Sequence, residues 1–309
     1  MEERITFKNA VEAWLAAPSR KLGRRKFGYG APTQYFIQAW GDIDIHEIDY
    51  LLVDKLFNEL KTKKSKLGKP YSSNTYNFFV GVYRAIMNFA RDDMRCKIYP
   101  PKVRMMRGSA RNQFLEEDEL TKLKSHLDPL RADLLTYSHL TGARASACSD
   151  LRFDQISEDG NYIVYHEEST KNGLPWMVPV IGKIKELIEK RCKMRDELEE
   201  RCPYLKGKIT HVFFQISGHI ARNGKKITAS SICNRRWKKA VAEAGFEKEG
   251  ICFHVAGRHS FATNAKRKGV DDRLIMAAGN WKNRASMDRY SHIVGPDLIE
   301  AQKQMQGLS

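Results

Sequence analysis

The fold and the chemistry of this chain are decided by residues 139–156, which read HLTGARASACSDLRFDQI. Two later segments belong with it: residues 253–263 read FHVAGRHSFAT, and residues 278–292 read AGNWKNRASMDRYSH. Together the segments contain residues that bind anions or transfer protons: Arg144, His254, Arg258, Trp281 and Tyr290. The planar fork of an arginine can bind two phosphate oxygens at once, but taken singly either Arg144 or Arg258 fits an ordinary surface position equally well.

The region before these segments has the apolar spacing of helices, which are separated by polar, basic loops. Helices are predicted at residues 5–17, with Thr6 as the cap, at about 31–40 and 47–61, and from Ser72 or Ser73 to about Ala90. Residues 102–113 are basic and show little periodicity, so they are the best candidate for a linker.

The texture changes after residue 151. Residues 162–166 and 176–180 are short β-type runs, and Lys171-Asn172-Gly173 lies between them, which predicts a hairpin. Helical patterns return at residues 181–200, at 228–244 and from about 259 onward. We therefore predict a mostly α, two-domain fold: a helical domain at residues 1–106, a linker at 107–113, and a mixed α/β domain at 114–309 with a small antiparallel sheet.

Composition excludes several classes of protein. With 42% hydrophobic and 29% charged residues among 309, the chain can bury a core and does not resemble a disordered segment. It has no run of about 18 apolar residues that a membrane span needs, and the first residues contain no export signal. We expect a soluble, cytoplasmic protein. The six cysteines form no C-x-x-C pair, so no metal site is predicted. Without an export signal a disulfide framework is not predicted either, and no cofactor is expected.

Charge is the strongest global feature. The chain has 53 Lys+Arg and 37 Asp+Glu, a net charge of +16, and residues 1–112 hold 21 basic against 11 acidic residues, an excess of 10. A basic surface of this size favours nucleic acid as the partner, although charge also serves solubility alone. The predicted DNA-contacting residues lie in the basic loops of the first domain: Arg24, Arg25, Lys26, Lys63 and Lys64.

The three quoted segments resemble the tyrosine recombinase (phage integrase) family. The matching features are T-G-x-R followed by L-R-[WF]-x-x-I, a box ending in R-H-[ST]-F-A-T, and G-x-W-K with a tyrosine nine residues after the tryptophan in R-Y-[ST]-H. The resemblance covers the whole chain in order. It implies a core-type DNA-binding domain at residues 1–106 and a catalytic domain at residues 114–309.

The resemblance also assigns roles to individual residues. Cutting a phosphodiester requires a nucleophile, positive charge at the non-bridging oxygens and a proton donor for the leaving 5′-oxygen. Tyr290 would be the nucleophile, and Arg144 and Arg258 would stabilise the charge of the transition state. Lys171, in the turn of the hairpin, would be the general acid, and His254 a proton shuttle or phosphate donor.

Trp281, Tyr290, Lys171 and the two arginines each also have an ordinary structural interpretation. Trp281 stands where the family has His or Trp, and its indole N–H can donate to a phosphate oxygen, but a core tryptophan is an almost equal interpretation. Taken alone, Tyr290 fits a core position, Lys171 a solvated turn, and either arginine the surface. Only the three segments in the family's order favour the catalytic interpretation.

The sequence departs from the family pattern at two positions. The family's second box is usually H-x-x-R, whereas His254 and Arg258 are four residues apart, with Gly257 as the apparent insertion. Either His254 and Arg258 share one face of a helix that begins near Ala256, or Gly257 bulges the chain before the helix begins. Three residues after Arg144 the family usually has an acid, and here Ala147 occupies that position.

The implied function is site-specific DNA recombination through a 3′-phosphotyrosyl intermediate, without metal or ATP. The implied partners are double-stranded DNA, three further copies of the chain on two duplexes, and an accessory directionality factor in some family members. The protein would be encoded by a bacterium or phage and act on host DNA. One alternative is a type IB topoisomerase-like enzyme. Another is a DNA-binding protein with weakened catalysis, and the spacing of His254 and Arg258 and the alanine at position 147 would support this second alternative.

Overall fold

The computed structural model describes residues 4–17, 30–65, 68–108, 113–170, 173–217, 222–247 and 250–288. The chain divides into two compact units, Met1–Ala110 and Arg111–Ser309, and each is described by itself. Both are largely helical, and strands are described only as one small sheet in the second unit, which confirms the predicted mostly α fold. Within the described residues, no helix has the length and apolar character needed to span a membrane.

The first unit contains four described α-helices: α1 (Phe7–Ala16), α2 (Gly30–Trp40), α3 (Tyr50–Thr62) and α4 (Ser73–Asp92). Their beginnings follow from local capping. The Thr6 hydroxyl accepts a hydrogen bond from the Asn9 N–H (3.2 Å), and the Ser72 hydroxyl accepts one from the Thr75 N–H (3.2 Å). Both predicted caps are confirmed.

Aromatic side chains fill the core of the first unit. The Phe36 ring stacks on Trp40 with ring centroids 5.7 Å apart, and the Phe57 ring meets Tyr83 edge-on at 5.4 Å. All four side chains are buried. Burial of rings of this size supplies much of the apolar stabilisation of a unit of this length.

The second unit begins with three helices: α5 (Glu117–Ser125), α6 (Pro129–Thr141) and the short α7 (Ala145–Ser149). The antiparallel strands β1 (Tyr162–Tyr165) and β2 (Trp176–Pro179) follow, with Tyr162 opposite Pro179 and Tyr165 opposite Trp176. The predicted hairpin is confirmed to within one residue at each strand end. After it come α8 (Gly182–Arg201), α9 (Ala229–Ile232), α10 (Arg235–Glu243), α11 (Ser260–Arg267), α12 (Asp272–Ala278) and α13 (Arg284–Asp288).

The helical pattern predicted at residues 228–244 is confirmed, and the structure divides it into two helices because the chain breaks between α9 and α10. The Asn234 side chain accepts hydrogen bonds from the N–H groups of Arg236 (2.9 Å) and Trp237 (3.4 Å), and so begins a new helix. The helix predicted from about residue 259 begins earlier, at Phe253, and passes through a π-helical turn at Val255–His259 before α11.

Candidate active site

The first quoted segment is built around the end of α6. Gly142 follows the helix in the left-handed conformation (φ 68°), and its N–H donates to the Ser138 carbonyl at 2.9 Å. A side chain at this position would be strained and would also lie 2.7 Å from the Phe261 ring. The reversal at Gly142 sets Arg144 immediately before α7, with its side chain partly exposed.

Arg144 and Arg258 line the same small cleft in the second unit. The other described lining residues come from α7, from the hairpin and from the segment after α12: Ser146, Ala147, Tyr165, Thr170, Trp176, Gly279 and Asn280. Two arginines that the sequence separates by more than a hundred residues therefore face one space. Paired cations around a cleft of this kind can bind and polarise a phosphate group.

The Arg258 side chain is almost fully buried (1% exposed) and is held by both neighbouring segments. Its Nη1 donates to the Gly142 carbonyl (2.5 Å) and to the Gly279 carbonyl (2.6 Å). Its guanidinium carbon lies 3.6 Å from the centroid of the Trp281 ring, which also stacks on Phe261 at 6.1 Å. The structure thus brings the three quoted segments together at one guanidinium group.

Trp281 contributes to this arrangement through packing. The side chain is 5% exposed and its indole nitrogen is buried, while its ring covers the guanidinium of Arg258. A cation over the face of an indole is attracted by the ring by about 0.5–2 kcal/mol. Donation from the indole to a phosphate oxygen stays a prediction.

The extra residue between His254 and Arg258 lies inside a helix. The Ser260 N–H donates to the Val255 carbonyl, five residues earlier, which is the bond of a π-helix. Because the helix begins at Phe253, the expectations that it would begin near Ala256, or that Gly257 would bulge the chain before it, are both wrong. The π turn absorbs the additional residue.

His254 lies on the same helix, half-buried, with its ring centroid 5.0 Å from that of His259. The two rings meet at an interplanar angle of 76°, an edge-to-face contact. The sequence did not predict that His259 would pack against His254. The proton-shuttle role of His254 stays a prediction.

Ala147, where an acid was expected, lies beside a pair of buried tyrosines. The Tyr165 hydroxyl donates to the Ala147 carbonyl at 3.4 Å and is 2.9 Å from the Tyr137 hydroxyl. Burial raises the pKa of both phenols well above their usual value, so both remain neutral hydrogen-bonding groups. Trp176 stacks on Tyr165 at 4.7 Å and donates from its indole N–H to the Ala278 carbonyl at 3.0 Å.

These contacts brace the cleft, and sequence reasoning missed them. The signal for them was the pattern of β1 and β2, in which buried residues alternate along both strands and place Tyr165 opposite Trp176. Neither Tyr165 nor Trp176 belongs to a quoted segment. Their hydrogen-bond partners are main-chain carbonyls of Ala147 and Ala278, which a sequence pattern cannot reveal.

Several predicted site residues lie outside the described residues: Arg24, Arg25, Lys26, Lys171 and Tyr290. In the first unit, Lys63 and Lys64 are exposed, as phosphate contacts must be. The Lys63 ammonium lies 3.9 Å from the centroid of the Tyr35 ring, which limits its freedom.

Helix α10 presents a basic surface that the sequence analysis did not single out. Trp237 is buried and donates from its indole N–H to the Ile251 carbonyl at 3.0 Å, which fixes one face of the helix inward. The residues on either side of Trp237 in sequence are exposed cations: Arg235, Arg236, Lys238 and Lys239. The run RRWKK at residues 235–239 was the available signal.

Comparison with known proteins identifies the family. The model of the phage integrase family matches residues 113–294, more than half of the chain. The chain belongs to the phage integrase family.

Individual relatives are distant. Tyrosine recombinase XerD of Chlamydia trachomatis is 27% identical over 191 residues, which cover 61% of this chain and 57% of XerD. Tyrosine recombinase XerA of Pyrococcus horikoshii is 24% identical over 233 residues, 75% of this chain and 73% of XerA. The chain thus spans a little over half the length of the XerD recombinases it matches.

Among solved structures, the lambda integrase tetramer bound to a Holliday junction is similar in fold, with a TM-score of 0.68 at 14% identity. The match covers 94% of this chain and 78% of the integrase chain. At this identity the likeness concerns the fold.

Proposed function

We propose that this protein is a site-specific DNA recombinase that breaks and rejoins DNA through a 3′-phosphotyrosyl intermediate. One observation carries the proposal: Arg144 and Arg258, from two separate motifs of the family, line one cleft in which Arg258 is anchored by the third motif. Two fixed guanidinium groups are suited to a phosphate whose negative charge increases in the transition state.

In the proposed reaction, the Tyr290 oxygen attacks the scissile phosphorus and the bond to the 5′-oxygen breaks. The leaving 5′-oxygen takes a proton from Lys171, and His254 serves as the shuttle for the proton of the tyrosine. The 5′-hydroxyl of a second duplex then reverses the step and releases Tyr290. Each bond broken is replaced by one of the same kind, so the cycle needs no ATP, and the arginines and lysine take the role that metals have elsewhere.

We propose the domain division given by the sequence: residues 1–106 bind DNA, residues 107–113 link, and residues 114–309 catalyse. The exposed Lys63 and Lys64, the cations of α10, and the net charge of +16 support double-stranded DNA as the partner. Lambda integrase, similar in fold, is solved as a tetramer on a Holliday junction, which supports four copies on two duplexes. Use of an accessory directionality factor is part of the proposal. Neither the topoisomerase nor the weakened-catalysis alternative is favoured by a specific observation.

The test is covalent trapping. Selection from a random duplex library supplies the bound site, and a nick beside the cleavage position lets the short 5′-hydroxyl fragment diffuse away. The wild-type protein should accumulate a detergent-stable adduct, with or without EDTA. Tyr290→Phe should bind the same DNA without an adduct, whereas Tyr162→Phe, which alters an exposed tyrosine of β1, should react like wild type. An adduct in Tyr290→Phe would refute the nucleophile.

A further inference from the structure

Ser138 lies immediately before the first quoted segment and contacts the segments that position both Arg144 and Arg258. It is fully buried near the end of α6, and its hydroxyl donates to the Ala143 carbonyl at 2.8 Å. Ala143 lies between Gly142, whose carbonyl anchors Arg258, and Arg144 itself. Cys148 Sγ donates to the same Ala143 carbonyl at 3.8 Å, and the Thr141 hydroxyl accepts from the Ala143 N–H at 3.2 Å. The Ser138 hydroxyl therefore helps to hold the short turn that carries Arg144 and whose Gly142 carbonyl binds Arg258.

The same side chain contacts the π turn. A Cβ at Gly257 would lie 2.1 Å from the Ser138 oxygen and 2.8 Å from its Cβ, distances at which atoms overlap. Gly257 does not have a positive φ, so close approach to Ser138 rather than backbone conformation requires glycine here. Since Arg258 is the next residue, the packing of Gly257 on Ser138 fixes the position of Arg258 relative to α6.

From this geometry we infer that Ser138 is a positioning residue, which acts on Arg144 through the Ala143 carbonyl and on Arg258 through Gly257 and Gly142. This inference rests on the proposed function for its effect on DNA cleavage, but the arrangement of Arg258 can be measured without DNA. A serine that only stabilised the end of α6 would affect folding and leave both arginines in place.

The first comparison is Ser138→Ala with Ser149→Ala. Ser149 is also a buried serine, and its hydroxyl donates to the Ser146 carbonyl of its own helix at 3.2 Å, so its loss removes a similar bond elsewhere. We expect Ser138→Ala to form the adduct roughly 10–100-fold more slowly while DNA binding changes less than about twofold, because small displacements of positioned groups slow reactions strongly. Ser149→Ala should keep the wild-type rate.

The second comparison tests the packing contact. Gly257→Ala should lower both thermal stability and the adduct rate, because its methyl group has no space. Adding Ser138→Gly removes the overlapping atoms and should recover stability. The adduct rate should recover only to that of Ser138→Ala, because the hydrogen bond from the Ser138 hydroxyl to the Ala143 carbonyl is still missing. If Gly257→Ala does not fold, recovery of folding in the double variant gives the same information.

The third measurement does not use activity. In protein labelled with ¹⁵N-arginine, Arg258→Lys identifies the Arg258 side-chain signals, and their slow rotation reports the bonds to the Gly142 and Gly279 carbonyls. Ser138→Ala should shift these signals and speed the rotation, and Ser149→Ala should not. If the wild-type protein forms no adduct, the proposed function fails and these signals still decide the role of Ser138. The inference is overturned if Ser138→Ala and Ser149→Ala give the same Arg258 signals. Where an adduct forms, the two variants would then also form it at the same rate.

Discussion

Replacing Arg258 with alanine removes the donor that two main-chain carbonyls share. The Gly142 and Gly279 carbonyls both accept from Nη1, and the side chain is buried, so water does not readily replace it. A buried carbonyl that loses its partner costs about 1–3 kcal/mol, and the contact with Trp281 adds about 1 kcal/mol. Removing a buried cation recovers part of its desolvation cost, so the net loss of unfolding free energy should be about 2–4 kcal/mol.

Arg144→Ala is the matched variant. Arg144 is partly exposed, and its loss should cost about 1 kcal/mol or less. Both variants should fail to form the covalent adduct, because each lacks one of the two proposed phosphate-binding arginines. They should differ in stability, with Arg258→Ala alone melting about 4–16 °C below wild type, from about 2–4 °C per kcal/mol.

The assay is thermal unfolding of the full chain followed by circular dichroism, with adduct formation measured on the same preparations. If Arg258→Ala melts within about 2 °C of Arg144→Ala, the carbonyl bonds do not carry the stability assigned to them. Anchoring of Arg258 by the Gly142 and Gly279 carbonyls would then be refuted, whatever the two variants do to DNA.

His254→Ala should bind DNA normally and slow single-turnover adduct formation by roughly 10–10³-fold, the contribution of a positioned acid–base group, and an unchanged rate would contradict the shuttle role. Neutralising Arg24, Arg25, Lys26, Lys63 and Lys64 to glutamine should weaken binding to all sequences and flatten the log–log dependence of Kd on salt by roughly one unit per lost contact. An unchanged slope would place these loops away from DNA. Burial, with a smaller contribution from Lys124, lowers the pKa of His139 to about 4. Between about pH 6.5 and pH 4, His139 binds a proton in the unfolded chain but not in the folded chain. The free energy of unfolding of the wild-type protein should therefore fall by up to about 3 kcal/mol as the pH is lowered through this range. Urea titrations at pH 4.5 and pH 7 measure this loss, which should be smaller in His139→Gln than in wild type. An equal change in the free energy of unfolding between the two pH values in both proteins would contradict the burial effect.

Local signals predicted most of the elements. The caps at Thr6 and Ser72 and the alternation of β1 depend on residues close in sequence, so one chain contains enough information to place them. The break at Asn234 was missed because the apolar spacing continues through it, and only the cap of the asparagine side chain divides the helix.

The candidate site was predictable as a set of residues but not as an arrangement. Arg258 binds carbonyls that lie 116 and 21 residues away, and a main-chain carbonyl carries no residue identity that a pattern could reveal. The tyrosine pair beside Ala147 was hidden for the same reason, since Tyr137 and Tyr165 belong to different elements. The roles of Lys171 and Tyr290 rest on the family resemblance and remain predictions.

The four-residue spacing of His254 and Arg258 shows how such a departure can leave an anchored residue in place. One extra residue in an α-helix would rotate everything after it by about 100°. The π turn takes up that residue, and beyond it α11 is tied to the start of the unit: the Leu115 N–H donates to the Ser260 hydroxyl (2.8 Å), and the Asn264 amide donates to the Leu115 carbonyl (3.1 Å). The four-residue spacing thus coexists with the bonds of Arg258 to the Gly142 and Gly279 carbonyls. A change in the spacing of this motif is therefore compatible with an anchored Arg258, and under the proposed function its effect should be confined to the step assigned to His254 as proton shuttle.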